Sequence, residues 1–253
     1  MSKIIWHKIF NKKNFNYNIQ SKKIKINGFF NKSHKLTQIV HPGLGRNEFK
    51  NILSYVAKSI QIKKNTSILD FGSGNGGLLY FFLNKYNLKE NISLEISKPL
   101  LDFQKKFIKN TIFVKTSHKN NNYLKKIKKN KVKNSISVSV FQYFYSQKYC
   151  FEILEFLLDI TKENILIYDL KDSNKKKQYI ETVIKRNNMN LQEYKKKYKN
   201  SPIRFYSKNF FIKTLGKLKK KYKFIYKIDK LPLGAIDRKF GFCLKIKKIQ
   251  EKI

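Results

Sequence analysis

Between Ser67 and Gly77 the chain reads Ser-Ile-Leu-Asp-Phe-Gly-Ser-Gly-Asn-Gly-Gly, an apolar run that meets a carboxylate and then a glycine loop. That order predicts a strand, a tight turn and a helix in immediate succession. Ile68, Leu69 and Phe71 suit a buried parallel strand, while Gly72, Gly74, Gly76 and Gly77 allow a close ligand approach that a Cβ would block. The helix follows from Leu78 to Tyr86. A glycine-rich turn of this kind, at the carboxyl edge of an open sheet, is where doubly wound α/β folds hold ligands, with helix N–H groups facing them.

Two ligand classes compete for the loop, because Gly72-x-Gly74-x-x-Gly77 also satisfies the dinucleotide pattern. Asp70 separates them. A carboxylate two residues ahead of the first glycine faces a pyrophosphate unfavourably but accepts hydrogen bonds from an ammonium group. A second acid, Glu95, ends the apolar stretch Asn91-Ile-Ser-Leu-Glu95 and can take two ribose hydroxyls, which supports the fold without choosing between the ligands.

The run Leu69-Asp70-x-Gly72-x-Gly74-x-Gly76 resembles the first motif of class I S-adenosylmethionine-dependent methyltransferases, in particular those acting on small molecules. The resemblance implies a doubly wound, Rossmann-like seven-stranded sheet of order 3-2-1-4-5-7-6 with strand 7 antiparallel, preceded by an N-terminal cap. It implies S-adenosyl-L-methionine as cofactor, held by Asp70, Gly72, Ser73, Gly74, Asn75 and Gly76 on the loop and by Glu95 with its neighbour Ile96. Family members commonly place an acid after the third strand to meet the adenine amine. Here Thr116, Ser117 and His118 occupy that stretch, and Ser117 is the residue expected in its place. Phe141, at the expected end of the fourth strand, completes the cofactor set. The Phe141-Gln-Tyr-Phe144 segment resembles small-molecule enzymes of the class and lacks the Asn-Pro-Pro-Tyr type of tetrapeptide seen in enzymes that methylate base amines.

The length, 253 residues, suits one α/β domain, read as residues 47–253 behind a basic, aromatic cap at 1–46. Residues 1 to 35 read as an irregular cap, with Trp6 as an anchor, and His41 to Arg46 as a hinge. Helices are expected from Asn47 to Ile60, from a Ser97 cap to about Lys109, across 119–134 on the surface, and from Cys150 to Thr161. Strands are expected at Thr111 to Lys115, Ser135 to Phe141, Asn164 to Asp169, and in a closing antiparallel pair, Tyr222 to Leu231 and Lys239 to Ile246. Between them lie polar helices within Lys175 to Lys199 and a helix from Phe210 to Leu218 introduced by Ser207.

Methyl transfer to a hydroxyl of a sugar or other metabolite needs one general base, and His41, Tyr143 and Asp169 are the candidates. Cys150 and Cys243 have no metal-ligand spacing and read as small buried residues, so neither zinc nor a disulfide is expected, and the chain reads as cytoplasmic. No apolar run approaches the roughly 20 residues that cross a bilayer. The 56 basic and 16 acidic residues give a net charge of +40, which attracts polyanions and makes RNA an alternative partner. Yet the cations are nearly all lysine, scattered from end to end, and accompany the Asn, Ile, Phe and Tyr of AT-rich codons. RNA methylation, a non-catalytic binding role on the same fold, and nicotinamide-dependent oxidation are the competing readings.

Overall fold

The computed structural model describes residues 29–40, 44–117, 124, 127, 132–199, 203–232 and 238–249. Helix α1 spans Phe29–Val40 and α2 spans Arg46–Ser59. They are followed by β1 Ile68–Phe71, α3 Gly77–Tyr86, β2 Asn91–Glu95, α4 Lys98–Lys105, β3 Thr111–Lys115 and β4 Val132–Val138. The second half contains α5 Gln147–Ile160, β5 Thr161–Asp172, α6 Lys176–Arg186, α7 Leu191–Tyr198, β6 Phe205–Tyr206, α8 Lys208–Leu218, β7 Phe224–Lys230 and β8 Gly241–Lys248.

The sheet runs β3-β2-β1-β4-β5-β8-β7, with the short β6 paired to β5. This is the expected order, renumbered by one extra two-residue strand. Strands β1 to β5 pair in parallel, and β8 is antiparallel to both β5 and β7.

The layers follow from residue periodicity. In β5, Ile165 and Ile167 join a core with α5 and α8, whereas Leu166 and Tyr168 join the core on the other face with α2 and α3. Two faces buried at once explain why the central strands read as unbroken apolar runs. Helix α5 is clamped at its start, where the Ser146 hydroxyl accepts from the Tyr149 N–H at 3.0 Å. It presents Ile153, Leu154 and Leu157 to the sheet, each fully buried. Truncating one of them to alanine costs about 2–5 kcal/mol. A third, smaller core of Tyr179, Val183, Tyr194 and Phe240 ties α6 and α7 down beyond the carboxyl end of β5.

Several boundaries differ from the sequence reading. The cap is helical from Phe29 rather than irregular to residue 35, because the buried positions Ser33, His34 and Thr37 are polar and disguise the stripe. Helix α4 ends at Lys105, four residues early. Ser97 stands at its N-cap, but the hydroxyl makes no capping bond. Strand β4 begins earlier, at Val132, and stops at Val138, so Phe141 to Tyr143 form a single 3-10 turn instead of a strand end. Strand β5 runs on to Asp172, so Asp169 lies inside it. Asp172 caps the turn that follows, accepting from the Asn174 N–H. The 119–134 helix falls mostly outside the described residues, as do Trp6 and His41.

Candidate functional site

All four residues of β1 are buried, and the strand lies between β2 and β4, so Asp70 reaches the carboxyl edge of the sheet at its centre. The chain then turns sharply. Gly72 has φ +76°, and the N–H groups of Gly72 and Ser73 both donate to the Leu94 carbonyl, at 2.7 and 3.1 Å. A Cβ on Gly72 would fall 2.4 Å from Cγ2 of Val140, so both conformation and space require glycine there.

Behind the loop sits a buried polar brace that no motif announced. Ser73 Oγ lies 2.7 Å from Ser93 Oγ, and the Gln104 amide donates to Ser73 Oγ and to the Gly74 carbonyl at 2.9 and 2.7 Å. Ser93 Oγ in turn donates to Gln104 Oε1 at 2.7 Å. Glu95 completes it, accepting from the N–H of Gly74 through Oε2, and of Ile96 and Ser97 through Oε1. Burial pushes the Glu95 carboxyl up to about 7, against the opposing pull of those N–H groups of Ser97, Gly74 and Ile96.

Asp70 differs. It is 1% exposed, its Oδ2 has no hydrogen-bond partner, and burial together with the nearby Glu95 charge pushes its carboxyl up to about 7. Asn75, also 1% exposed, leaves its Nδ2 amide without a partner. Both residues line the same small cavity of about 40 Å³, together with Gly72, Thr37, Leu44 and Ser139. An unmatched carboxylate oxygen and an unmatched amide donor in one cavity are the complement of an ammonium and a carboxylate, the two ends of an amino-acid zwitterion. Each group buried without a partner otherwise costs about 1–3 kcal/mol.

Helix α1 closes this cavity. Ser33 Oγ donates to the Gly77 carbonyl at 2.5 Å, and a Cβ on Gly77 would fall 2.2 Å from Thr37 Oγ1. The last glycine of the loop, which also lines the cavity, thus permits close helix packing. His34 anchors the other side through Nε2 and the Leu44 carbonyl, 2.8 Å apart.

The candidate bases sit at the carboxyl ends of β4 and β5. Asp169 is 5% exposed with φ +66°, at a register irregularity of β5 against β8. Its Oδ2 accepts from Ser139 Oγ at 2.8 Å, and its Oδ1 accepts from Lys171 Nζ, also at 2.8 Å. Tyr143 is half-buried close enough to feel the Asp169 charge, and burial raises its hydroxyl above the usual phenol range. Phe141 is a core side chain, 1% exposed, with its ring centroid 4.4 Å from that of Phe144. Ser117 is half-buried where the chain leaves β3, beside Thr116, whose N–H donates to the Glu95 carbonyl. Ser139 and Lys171 belong to no pattern in the sequence, and a lysine 3% exposed inside a strand defies the rule that lysines stay in water.

No protein-family profile and no curated protein matches this chain. Solved structures do. The plantazolicin methyltransferase BpumL, in complex with SAH, aligns over 96% of this chain and 94% of its own, with a TM-score of 0.57 and 17% identity. The chain has the fold of class I S-adenosylmethionine-dependent methyltransferases. Magnesium protoporphyrin IX methyltransferase from Synechocystis PCC 6803, with bound SAM, aligns over 98% of both chains at a TM-score of 0.55 and 11% identity. The small RNA methyltransferase HEN1 aligns over 80% of this chain and 25% of its own, at 0.53 and 16%. Chains that share this methyltransferase fold thus serve very different acceptors, so the acceptor has to be argued from the site.

Proposed function

We propose that this chain is an S-adenosylmethionine-dependent methyltransferase acting on a small-molecule acceptor, with a hydroxyl of a sugar or another metabolite as the methylated group. The observation that carries the reading is the unpartnered carboxylate oxygen of Asp70 beside the glycine loop. An ammonium group there satisfies Asp70 and relieves its repulsion by Glu95, whereas a pyrophosphate would add a further negative charge.

In this reading Asp70 holds the amino group of the cofactor and Asn75 its carboxylate, while Gly72 to Gly76 wrap it. Glu95 still has lone pairs for ribose hydroxyls after accepting its three backbone bonds, and Ile96 and Ser117 border the adenine end. The bound cofactor supplies an electrophilic methyl group. The chain's own part is to exclude water, fix the acceptor and remove its proton, with Tyr143 and Asp169 the described candidates. Residues 47–253 form the catalytic unit and the preceding segment its cap. The thiols of Cys150 and Cys243, both free and buried, suit a cytoplasmic setting. Among the described residues no helix is long and apolar enough to cross a membrane.

Isothermal calorimetry with S-adenosylmethionine tests the reading. Binding is expected in the wild type and its loss in Asp70→Ala; equal affinity in both removes the foundation of the assignment. Conversion of bound donor to S-adenosylhomocysteine in the presence of a metabolite extract separates an enzyme from a binding protein of the same fold.

A further inference from the structure

The carboxyl ends of β4 and β5 carry a buried trio that lies outside the glycine loop and its brace. Ser139, Asp169 and Lys171 are 7%, 5% and 3% exposed, and both oxygens of the Asp169 carboxylate are occupied, one by the Ser139 hydroxyl and one by the Lys171 ammonium. Two of the three residues hold left-handed backbone, Ser139 at φ +58° and Asp169 at φ +66°. That conformation is uncommon outside glycine, costing serine more than aspartate, and such strain gathers at functional sites. Here the contacts around it are visible. The Ser139 N–H donates to the Tyr168 carbonyl at 2.9 Å, and β5 slips its register against β8 between Ile167 and Leu170, on either side of Asp169.

Ser139 also lines the cavity that contains Asp70 and Gly72, so it belongs at once to the cofactor cavity and to the buried ion pair. Its one proton is committed to Asp169, which leaves the hydroxyl oxygen with only lone pairs to offer. Lone pairs recognise an O–H or N–H group and repel a carboxylate or a phosphate. Lys171 does not alter that, because its ammonium is turned to Asp169 and lies 5.5 Å from the ring centroid of Tyr179.

We propose that Ser139 is the catalytic residue that receives the acceptor's proton, with Asp169 and Lys171 as positioning residues behind it, and that the acceptor is a neutral O–H or N–H compound. The inference rests on the methyl-transfer reading above. As the acceptor's O–H or N–H bond breaks, its proton passes to Ser139 Oγ and the Ser139 proton passes to Asp169 Oδ2. The electron pair left on the acceptor forms the bond to the methyl carbon of the sulfonium donor, and the pair of the broken carbon–sulfur bond stays on sulfur. Lys171 keeps the pair compact and neutral overall before the proton arrives.

The test uses the full chain, methyl-tritiated S-adenosylmethionine and, as acceptor probe, the protein-free metabolite fraction of a cell extract. Mild alkali sorts the products, since methyl esters release volatile methanol while methyl ethers and amines do not. Expected are alkali-stable products, with transfer reduced about 100-fold or more in Ser139→Ala and in Asp169→Asn, while Asp169→Asn binds the donor within twofold of the wild type. Should Asp169→Asn unfold because Lys171 is left unpaired, the double change Asp169→Asn/Lys171→Met removes both charges and gives the same comparison. Proton NMR adds a readout independent of turnover: a downfield, slowly exchanging hydroxyl resonance, absent in Ser139→Ala and displaced in Asp169→Asn. An alkali-labile methyl ester overturns the proposal, as does wild-type transfer by Ser139→Ala, absence of that resonance, or no labelled product from a protein that binds the donor. Failure to bind the donor at all would instead strike the methyltransferase reading itself.

Discussion

Glu95 Oε2 accepts a hydrogen bond of 2.8 Å from the N–H of Gly74, a residue 21 positions earlier in the chain. The acid at the tip of β2 thus braces the glycine loop from behind, and its charge stands near Asp70, whose carboxyl it helps to raise. Replacing it separates these two effects. Glu95→Gln is expected to cost about 1–3 kcal/mol in urea unfolding, because an amide meets three backbone donors with a single acceptor oxygen. The same change is expected to bring the Asp70 carboxyl below about 7 when followed by carboxyl NMR.

The buried acid gives the stability curve a sign. Asp70 moves from 3.8 to about 7 on folding, so the folded state holds its proton more tightly than the unfolded state. Its contribution to stability is therefore complete below about 4 and is lost as pH rises through about 7. Without ligand, the wild type is expected to lose a few kcal/mol relative to Asp70→Asn between about pH 4 and pH 7. Denaturant midpoints for the two proteins across that window measure the difference.

Binding an ammonium reverses the balance, since only the ionised carboxylate pairs with it. Affinity for S-adenosylmethionine is expected to rise with pH through about 7, with release of a proton. In Asp70→Asn it falls about 10- to 100-fold and loses the part of that pH dependence due to Asp70. Calorimetry in buffers of different ionisation enthalpy counts the proton directly.

Gly77→Ala would drive a Cβ to 2.2 Å from Thr37 Oγ1 and 2.9 Å from the Ser33 carbonyl. A loss of about 1–3 kcal/mol is expected, partly restored by Thr37→Ala, which removes the nearer obstacle. The double-mutant cycle in urea reports the coupling between α1 and α3.

The cavity of about 40 Å³ beneath α1 has room for only a small part of a cofactor, so binding is expected to displace α1 from the loop. Amide hydrogen exchange in α1 is expected to be faster than in α3 without ligand. Cofactor that fits beneath an undisturbed α1 would leave its exchange unchanged on binding.

The lysine excess invites a separate measurement. If the charge is compositional, RNA affinity at about 0.15 M salt will match that of an unrelated lysine-rich protein and will fall equally steeply with salt. A tenfold advantage over that control would favour an RNA acceptor.

Local patterns carried most of the fold. Strands β1, β2 and β3 and helices α2, α3 and α5 were legible because continuous apolar runs, helical spacing and glycine turns depend on near neighbours in the chain. Helix α1 was not, since its buried Ser33, His34 and Thr37 are polar, and Ser33 and His34 find their partners outside the helix, at Gly77 and Leu44. The same holds for the inner half of the site. Gln104 looks like any residue of a surface helix until Ser73, Ser93 and the Gly74 carbonyl converge on it from two strand ends. Lys171 reads as one more of many lysines until β5 carries it inward beside Asp169.

By itself, the amino-acid order determined that a carboxylate precedes a glycine turn between a buried strand and a helix, and so where a ligand is expected and which sign of charge would suit it. Only the tertiary structure decided which polar groups are left unmatched there and which are paired. Hydrogen bonds and ion pairs join residues distant in sequence, and burial turns an ordinary aspartate into one with a carboxyl near 7, so neither property exists until the sheet has assembled.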